Sequence, residues 1–319
     1  MAQKIDWESQ IGRRLKLRDL HVFSIVVQRG SMAKAAAHLG VSQPTVSEII
    51  ADLEQMMGVR LLDRLPHGVE PTPYGEALLR RGKVAFDELK QGIKDIEFLA
   101  DPTVGEVQIA CPESLASAIL PPIIQRFSQE YPGVAIHVDA AITLTLDVPA
   151  LLERNVDMLL ARVGGPVTSQ RDDLNVEVLF TDEVVVVAAA GSKWTGRKKI
   201  KPTELLDARW AITPPGLATG LLDEAFQAAG LDTPKFQLVT FSMLLRSQML
   251  ATGDFLTVLP RSALKLNAKR FDMEVLPVDL PFQPWPVAIV TLKNRTLNPV
   301  AQRFIEHLRA FAKTMTPET

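Results

Sequence analysis

The side chains best suited to bond-making chemistry are scattered through these 319 residues. The five histidines, His21, His38, His67, His137 and His307, lie far apart with no i,i+4 pair, so metal-ligand spacing is absent. No Gly-x-Ser-x-Gly elbow, Walker loop or His-Glu-x-x-His occurs. A single cysteine, Cys111, excludes an internal disulfide, a multi-cysteine metal site and a two-thiol switch within the chain. It reads either as a reactive thiol near a cleft or, by preference, as a buried and inert one. A different chemistry is concentrated in one short stretch. Gln43, Pro44, Thr45, Ser47 and Glu48 place short polar groups just behind Ser42. On the leading turn of a helix, such groups have the size and polarity to meet base edges in a duplex groove. An ordinary solvated face has the same polarity, so the elements that position these residues decide between the two.

Leu17 to Gln28 reads as a helix with Leu20, Phe23 and Val27 on one face. Ser31 is expected to cap a second helix running through Ala35, Ala36 and Leu39 and stopping at Gly40. Ser42 caps a third, with Pro44 in its first turn, where the missing N–H costs nothing, and this helix runs to Met57. Val46, Ile49, Leu53, Met56 and Met57 fall on its inner side, and Pro44, Ser47, Glu48 and Ala51 on its outer side. Two capped helices across the tight Gly40-Val41-Ser42 turn make a helix-turn-helix, a geometry that a merely solvated face does not need. Val59 to Leu65, the turn Pro66-His67-Gly68 and Val69-Glu70-Pro71 then read as a wing. Arg64 and His67 lie near its tip as phosphate or minor-groove contacts, although His67 fits an incidental surface position equally well. Nine basic against seven acidic residues leave residues 1–65 at only +2. Phosphate neutralisation therefore falls to positioned groups such as Arg18, Arg29, Lys34 and Arg64, and to helix N-termini.

Thr72 and Pro73 start another helix. Leu79, Gly82, Phe86, Leu89, Ile93, Ile96 and Ala100 recur at alternate spacings of three and four, an a/d pattern along a rod of roughly 40 Å. The stripe could pack on its own domain. A two-chain seam is preferred, with Leu79, Phe86, Leu89, Ile93 and Ile96 at the interface, because Pro and Gly flank the helix and nothing nearby needs covering.

From Gly105 onward, β-branched runs alternate with amphipathic stretches, the rhythm of an α/β domain. The expected organisation is an extension over 1–14, a winged helix-turn-helix over 15–73, a linker helix over 74–101 and a two-lobed α/β domain over 104–319. Lobe I takes about 104–176 and 281–319, and lobe II about 177–280. Parallel sheets with crossover helices would place a ligand between the lobes, at strand ends.

The stretch Leu17 to Gly75 resembles the DNA-binding domain of the LysR-type transcriptional regulators. The resemblance rests on Ser31-Met32-Ala33-Lys34-Ala35-Ala36-Ala37-His38-Leu39-Gly40-Val41-Ser42-Gln43-Pro44-Thr45-Val46-Ser47, then Leu53-Glu54, Gly58 to Arg64 and Thr72-Pro73-Tyr74-Gly75. It implies that Gln43, Pro44, Ser47 and Glu48 face an operator and that Arg64 sits beside the backbone; Ser31, Lys34, Ser42, Thr45 and His67 complete the expected DNA surface. Three residues depart from the pattern: Glu48, Leu62 and Pro71 stand where a basic or neutral polar residue, an aromatic and a leucine are usual. Glu48 either accepts from a cytosine amino group or is a repelled bystander. The remainder resembles the family's effector domain, which has the fold of type 2 periplasmic binding proteins. That resemblance implies effector contacts at Ser114, Thr143 (or Thr145), Arg162, Thr219, Thr240 and Phe241. Ser114 and Arg162 suit a carboxylate or sulfonate, so the implied effector is an organic acid and no other cofactor is expected. Ser114 is equally an N-cap, and Arg162 equally a partner for Asp182 or Glu183.

Composition agrees with a globular chain: 47% hydrophobic, 23% charged, net charge −2. No apolar run is long enough to span a membrane, and the first eight residues do not read as a secretion signal. The expected protein is a cytoplasmic, nucleoid-associated bacterial regulator and not an enzyme. It binds promoter DNA as a homodimer or homotetramer, responds to a small molecule and contacts RNA polymerase. The alternative is a solute-binding or catalytic α/β protein whose N-terminal helices bind another protein.

Overall fold

A computed structural model describes residues 14–141, 149–163, 172–214, 217–265 and 272–315, with the backbone alone at 217–219. The chain divides into two compact units, one ending at Lys90 and the other starting at Gln91.

The first unit packs α1 (Leu17–Arg29), α2 (Met32–Leu39) and α3 (Gln43–Met57) with an antiparallel hairpin of β1 (Leu62–Leu65) and β2 (Gly68–Pro71). Its core is Val22, Phe23, Val26, Ala35, Ala36, Val46, Ile50, Leu53 and Leu61. The buried seam of α3 is therefore Val46–Ile50–Leu53, with Ile49 and Met57 only partly covered, because α3 packs on two helices and needs a stripe wider than one heptad seam. On α1 the same effect buries Val22 and Val26 and leaves Val27 half-covered.

Side-chain to backbone bonds lock the wing. The Glu54 carboxylate accepts from the Leu61 and Leu62 N–H groups at 2.7 and 3.1 Å. Thr72 Oγ1 accepts from the Gly75 N–H at 3.1 Å and donates to the Arg60 carbonyl at 2.8 Å. A Cβ at Gly75 would stand 2.2 Å from the Leu61 oxygen, so the Thr72–Gly75 turn admits no side chain there. This turn starts α4 (Pro73–Ala100), a helix of 28 residues.

The second unit holds two five-stranded sheets. One has the order β4 (Gly133–Ala140), β3 (Val104–Cys111), β5 (Met158–Arg162), β12 (Trp285–Leu292), β6 (Leu174–Asp182). The other has the order β11 (Met273–Val275), β7 (Val184–Ala189), β10 (Phe255–Pro260), β8 (Arg209–Ile212), β9 (Phe236–Val239). Apolar clusters lie on both faces of each, which is why β5 and β10 are buried at every position. In the first sheet, α5 (Glu113–Glu130) and α9 (Pro299–Lys313) meet through Phe127 and Phe304, with ring centroids 5.1 Å apart.

Two expectations need correction. The sheets are mixed rather than parallel: β12 runs antiparallel to β5 and β6, and β7 antiparallel to β10 and β11. The cause is the connection, since β6 passes straight into β7 with no crossover helix and β12 later returns to fill the first sheet. For the same reason the lobe boundary drawn at 176/177 falls inside β6; the chain changes sheets at Asp182–Glu183. Before β5 the chain makes one helical turn, α6 (Pro149–Leu152). Beyond it, buried Asp157 accepts from the Gln108 N–H at 2.9 Å and pairs with Arg295 at 3.5 Å. Asp157 thus ties together β3, the start of β5 and the loop after β12.

Candidate functional site

The leading turn of α3 is built as its sequence predicts. Ser42 occupies the cap position with extended backbone, its hydroxyl accepts from the Thr45 N–H at 3.3 Å, and the two hydroxyls lie 2.8 Å apart. The cap contributes about 1 kcal/mol and engages Thr45 as well as Ser42. Gln43, Pro44 and Glu48 are exposed beside it, as are Lys34 on α2 and Arg64 and His67 on the wing. Ser47 is turned partly inward, half-buried, with its hydroxyl donating to Met32 Sδ at 3.3 Å. Ser31 stands at the start of α2 with cap-like backbone, but its side chain makes no cap bond. An eight-residue helix that buries Met32, Ala35 and Ala36 is held by packing instead. Arg29 donates to His38 Nδ1 at 3.0 Å, tying the end of α1 to α2.

The expected seam on α4 is split. Leu79 packs partly buried against the first unit's core, and Phe86 lies edge-on to His21 with centroids 6.1 Å apart. These two residues cover their own domain, the alternative weighed for the whole helix. Leu89, Ile93 and Ile96 are 48%, 58% and 68% exposed, and Leu99, outside the expected stripe, is 81% exposed. Within the second unit Phe98 packs on the apolar core and Lys94 pairs with Glu106 at 3.1 Å.

In the second unit, Arg162 closes β5 with its guanidinium buried. It donates to Asp182 at 3.1 Å, to Ser114 Oγ at 3.2 Å and to Ser262 Oγ at 3.4 Å, and it lies 5.0 Å above the Trp285 ring. Asp182 also accepts from the Glu183 and Ser262 N–H groups and from the Ser262 hydroxyl. The strand connection between the sheets, Asp182–Glu183, and Ser262, just past the end of β10, therefore converge on this ion pair. Of the alternatives for Arg162, the Asp182 partner is present; Ser114 is not an N-cap, because Pro112 holds that position. Burial pulls Arg162 down to about 10 against the opposing pull of Asp182, and it remains cationic at neutral pH.

Thr240 and Phe241 lead into α8 (Met243–Ala251) in the second lobe. Thr240 Oγ1 accepts from the Ser242 N–H at 3.1 Å, Ser242 caps the helix through the Leu245 N–H, and Phe241 is 42% exposed. The lobes touch here. Glu113, the first residue of α5, accepts from the Met243 N–H at 2.9 Å. One turn further on, Arg246 is buried on the same face as Met243, Ser247 and Leu250. The sequence reading missed both Glu113 and Arg246. The signal was present for Arg246, a lone cation on the apolar phase of an amphipathic helix. Thr143 lies outside the described residues, and Thr219 is placed by its backbone alone, on α7 (Leu217–Ala228). Cys111 is buried, and desolvation pushes its thiol up to about 12, which agrees with the inert reading. Among the described residues, no cluster of His, Cys, Asp and Glu is arranged to hold a metal, and no helix is long and apolar enough to cross a membrane.

Comparison with known proteins agrees with this geometry. Residues 17–76 match the family described as "Bacterial regulatory helix-turn-helix protein, lysR family", and residues 100–313 match the "LysR substrate binding domain". The transcriptional regulator GbpR of Azospirillum brasilense is 28% identical over 306 residues, covering 94% of this chain and 88% of its own. TdcA of Escherichia coli K12 is 30% identical over 247 residues, 77% of each chain. GltC of Bacillus subtilis is 28% identical over 306 residues, covering 93% and 97%. Full-length CbnR in complex with its target DNA shares the fold at a TM-score of 0.62 and 20% identity, over 93% of this chain and 100% of that one. A full-length OxyR from Pseudomonas aeruginosa does so at 0.63 and 23%, over 94% and 95%. With both of its parts matched, the chain belongs to the LysR family and is a DNA-binding transcriptional regulator with an effector-binding domain.

Proposed function

We propose that a homodimer, or a tetramer of two such pairs, reads an interrupted palindrome in promoter DNA with the N-terminal turn of α3. Gln43, Pro44 and Glu48 meet base edges, Ser47 reaches the groove from the edge of the turn, and Lys34, Arg64 and His67 contact phosphates. The observation that carries this reading is the Ser42–Thr45 cap, which leaves that turn bare and rigid while Glu54 and Thr72 fix the wing beside it. The DNA-bound form of CbnR, whose fold this chain shares, supports the same docking. Exposed Leu89, Ile93 and Ile96 pair the subunits, with Leu99 extending the stripe. The protein acts in the bacterial cytoplasm on nucleoid DNA and catalyses no reaction. A small organic acid between the lobes favours one arrangement of the reading heads and so alters DNA bending and polymerase contact.

Fluorescence polarisation on promoter DNA across a salt series tests the reading. Affinity should fall steeply with salt, and Arg64→Ala should weaken binding to all sequences and flatten the salt slope by about one. Indifference to DNA would return the protein to a solute-binding or catalytic role. For the seam, Ile93→Lys with Ile96→Lys should give monomers by light scattering, whereas Phe86→Lys should act mainly on the stability of the head; a persistent dimer in the first variant places the seam elsewhere.

A further inference from the structure

Arg246 is 5% exposed, yet no carboxylate lies within ion-pair distance of it among the described residues. Among the described residues its Nε has no hydrogen-bond partner, and its side chain makes one polar contact, a weak one from Nη2 to Met243 Sδ at 3.4 Å. A buried guanidinium is normally satisfied by an anion, so this cation is built for a group that the chain itself does not supply in full. Glu113 supplies part of it. This residue belongs to the opposite lobe and its field acts on Arg246, but its oxygen is spent on the Met243 N–H at the first position of α8. The N-terminus of a nine-residue helix and an unsatisfied guanidinium one turn along thus surround one carboxylate that satisfies only the helix.

We propose that this is an anion subsite for a small carboxylate ligand and that Glu113 is its built-in competitor, clasping the lobes until the ligand's carboxylate displaces it from the Met243 amide. The argument rests on the reading that the effector binds between the lobes and names the chemical group it must carry. A free carboxylate is not tethered to α5. It can therefore accept from the Met243 N–H and from the Arg246 guanidinium at once, as Glu113 does not. The exchange moves no covalent bond and no proton; it replaces one ionised carboxylate by another with better access to the cation. Ligand entry therefore releases the interlobe bond from Glu113, and with it the restraint on the lobes.

Acetate is the probe, and hydrogen exchange at the Met243 amide of the full-length protein is the readout. In Glu113→Ala that amide should exchange on the order of tenfold faster. Sodium acetate should restore its protection, and sodium chloride at equal ionic strength should not. Rescue should vanish in Glu113→Ala combined with Arg246→Met. Unchanged exchange in Glu113→Ala overturns the clasp. Exchange that rises but is not rescued by acetate, or is rescued equally well without Arg246, overturns the anion subsite. Promoter affinity of Glu113→Ala with and without acetate separates the two levels. Acetate rescue of exchange with no effect on DNA binding leaves the subsite standing and removes its regulatory role.

Discussion

Arg162 in the first lobe and Arg246 in the second each bury a guanidinium near the junction of the lobes, and the two are treated in opposite ways. Arg162 in the first lobe has a carboxylate at 3.1 Å, two hydroxyls and an aromatic face, and the carboxylate, Asp182, stands where the chain passes from one sheet to the other. Arg246 in the second lobe has a thioether and a carboxylate that points its hydrogen bond elsewhere. Burial pulls both down to about 10, so both remain charged in the interior at neutral pH. The difference teaches that a buried cation has two uses: with its anion in place it fastens a hinge, and without one it reserves a place for an anion from outside.

The largest effect that separates these uses is on stability. Asp182→Asn leaves Arg162 uncompensated and should cost about 3–5 kcal/mol in urea unfolding followed by tryptophan fluorescence, whereas Arg246→Met breaks no ion pair and only the weak contact to Met243, and should change stability by less than about 1.5 kcal/mol or raise it. Equal losses would break the comparison. A smaller effect sharpens it. Ser114→Ala removes one hydrogen bond from Arg162 and should cost about 1 kcal/mol; unchanged stability with an altered ligand response would move Ser114 from the hinge to the effector. The smallest tests how closed the first lobe is. With its thiol raised to about 12, native Cys111 should alkylate at pH 8 about a thousandfold more slowly than in the urea-unfolded chain. Because the folded value is the raised one, this thiol stabilises the fold below its ordinary range, and that contribution drains away as pH climbs toward 12. Rapid native labelling would show the lobe to be open.

How much could be read in advance differs between the units for the same physical reason. The reading head is built from local signals. Ser42 three residues before Thr45, glycines ending α2 and α3, and the Thr72–Gly75 turn all act within one helical turn, so spacing alone exposes them. Even there, burial moved the seam of α3 to Ile50 and drew Leu79 and Phe86 onto their own domain. In the effector domain the strands were legible as β-branched runs, but their directions were not, since β12 pairs with β5 more than a hundred positions earlier. The deciding contacts are of the same kind: Arg162 with Ser262, and Glu113 with Met243, join residues 100 and 130 positions apart.

From its amino acids in order, then, this protein shows that it carries a capped helix-turn-helix, a wing, a long rod and an α/β domain. Caps, turn residues and hydrophobic periods act over a few residues, where chain connectivity already brings the partners together. Only the folded chain decides which apolar positions on the rod stay bare, which strand reverses, and which of two similar arginines receives a carboxylate. Those outcomes depend on surfaces that meet after the chain has crossed between two sheets and back, and a buried charge has no meaning until its surroundings have closed over it.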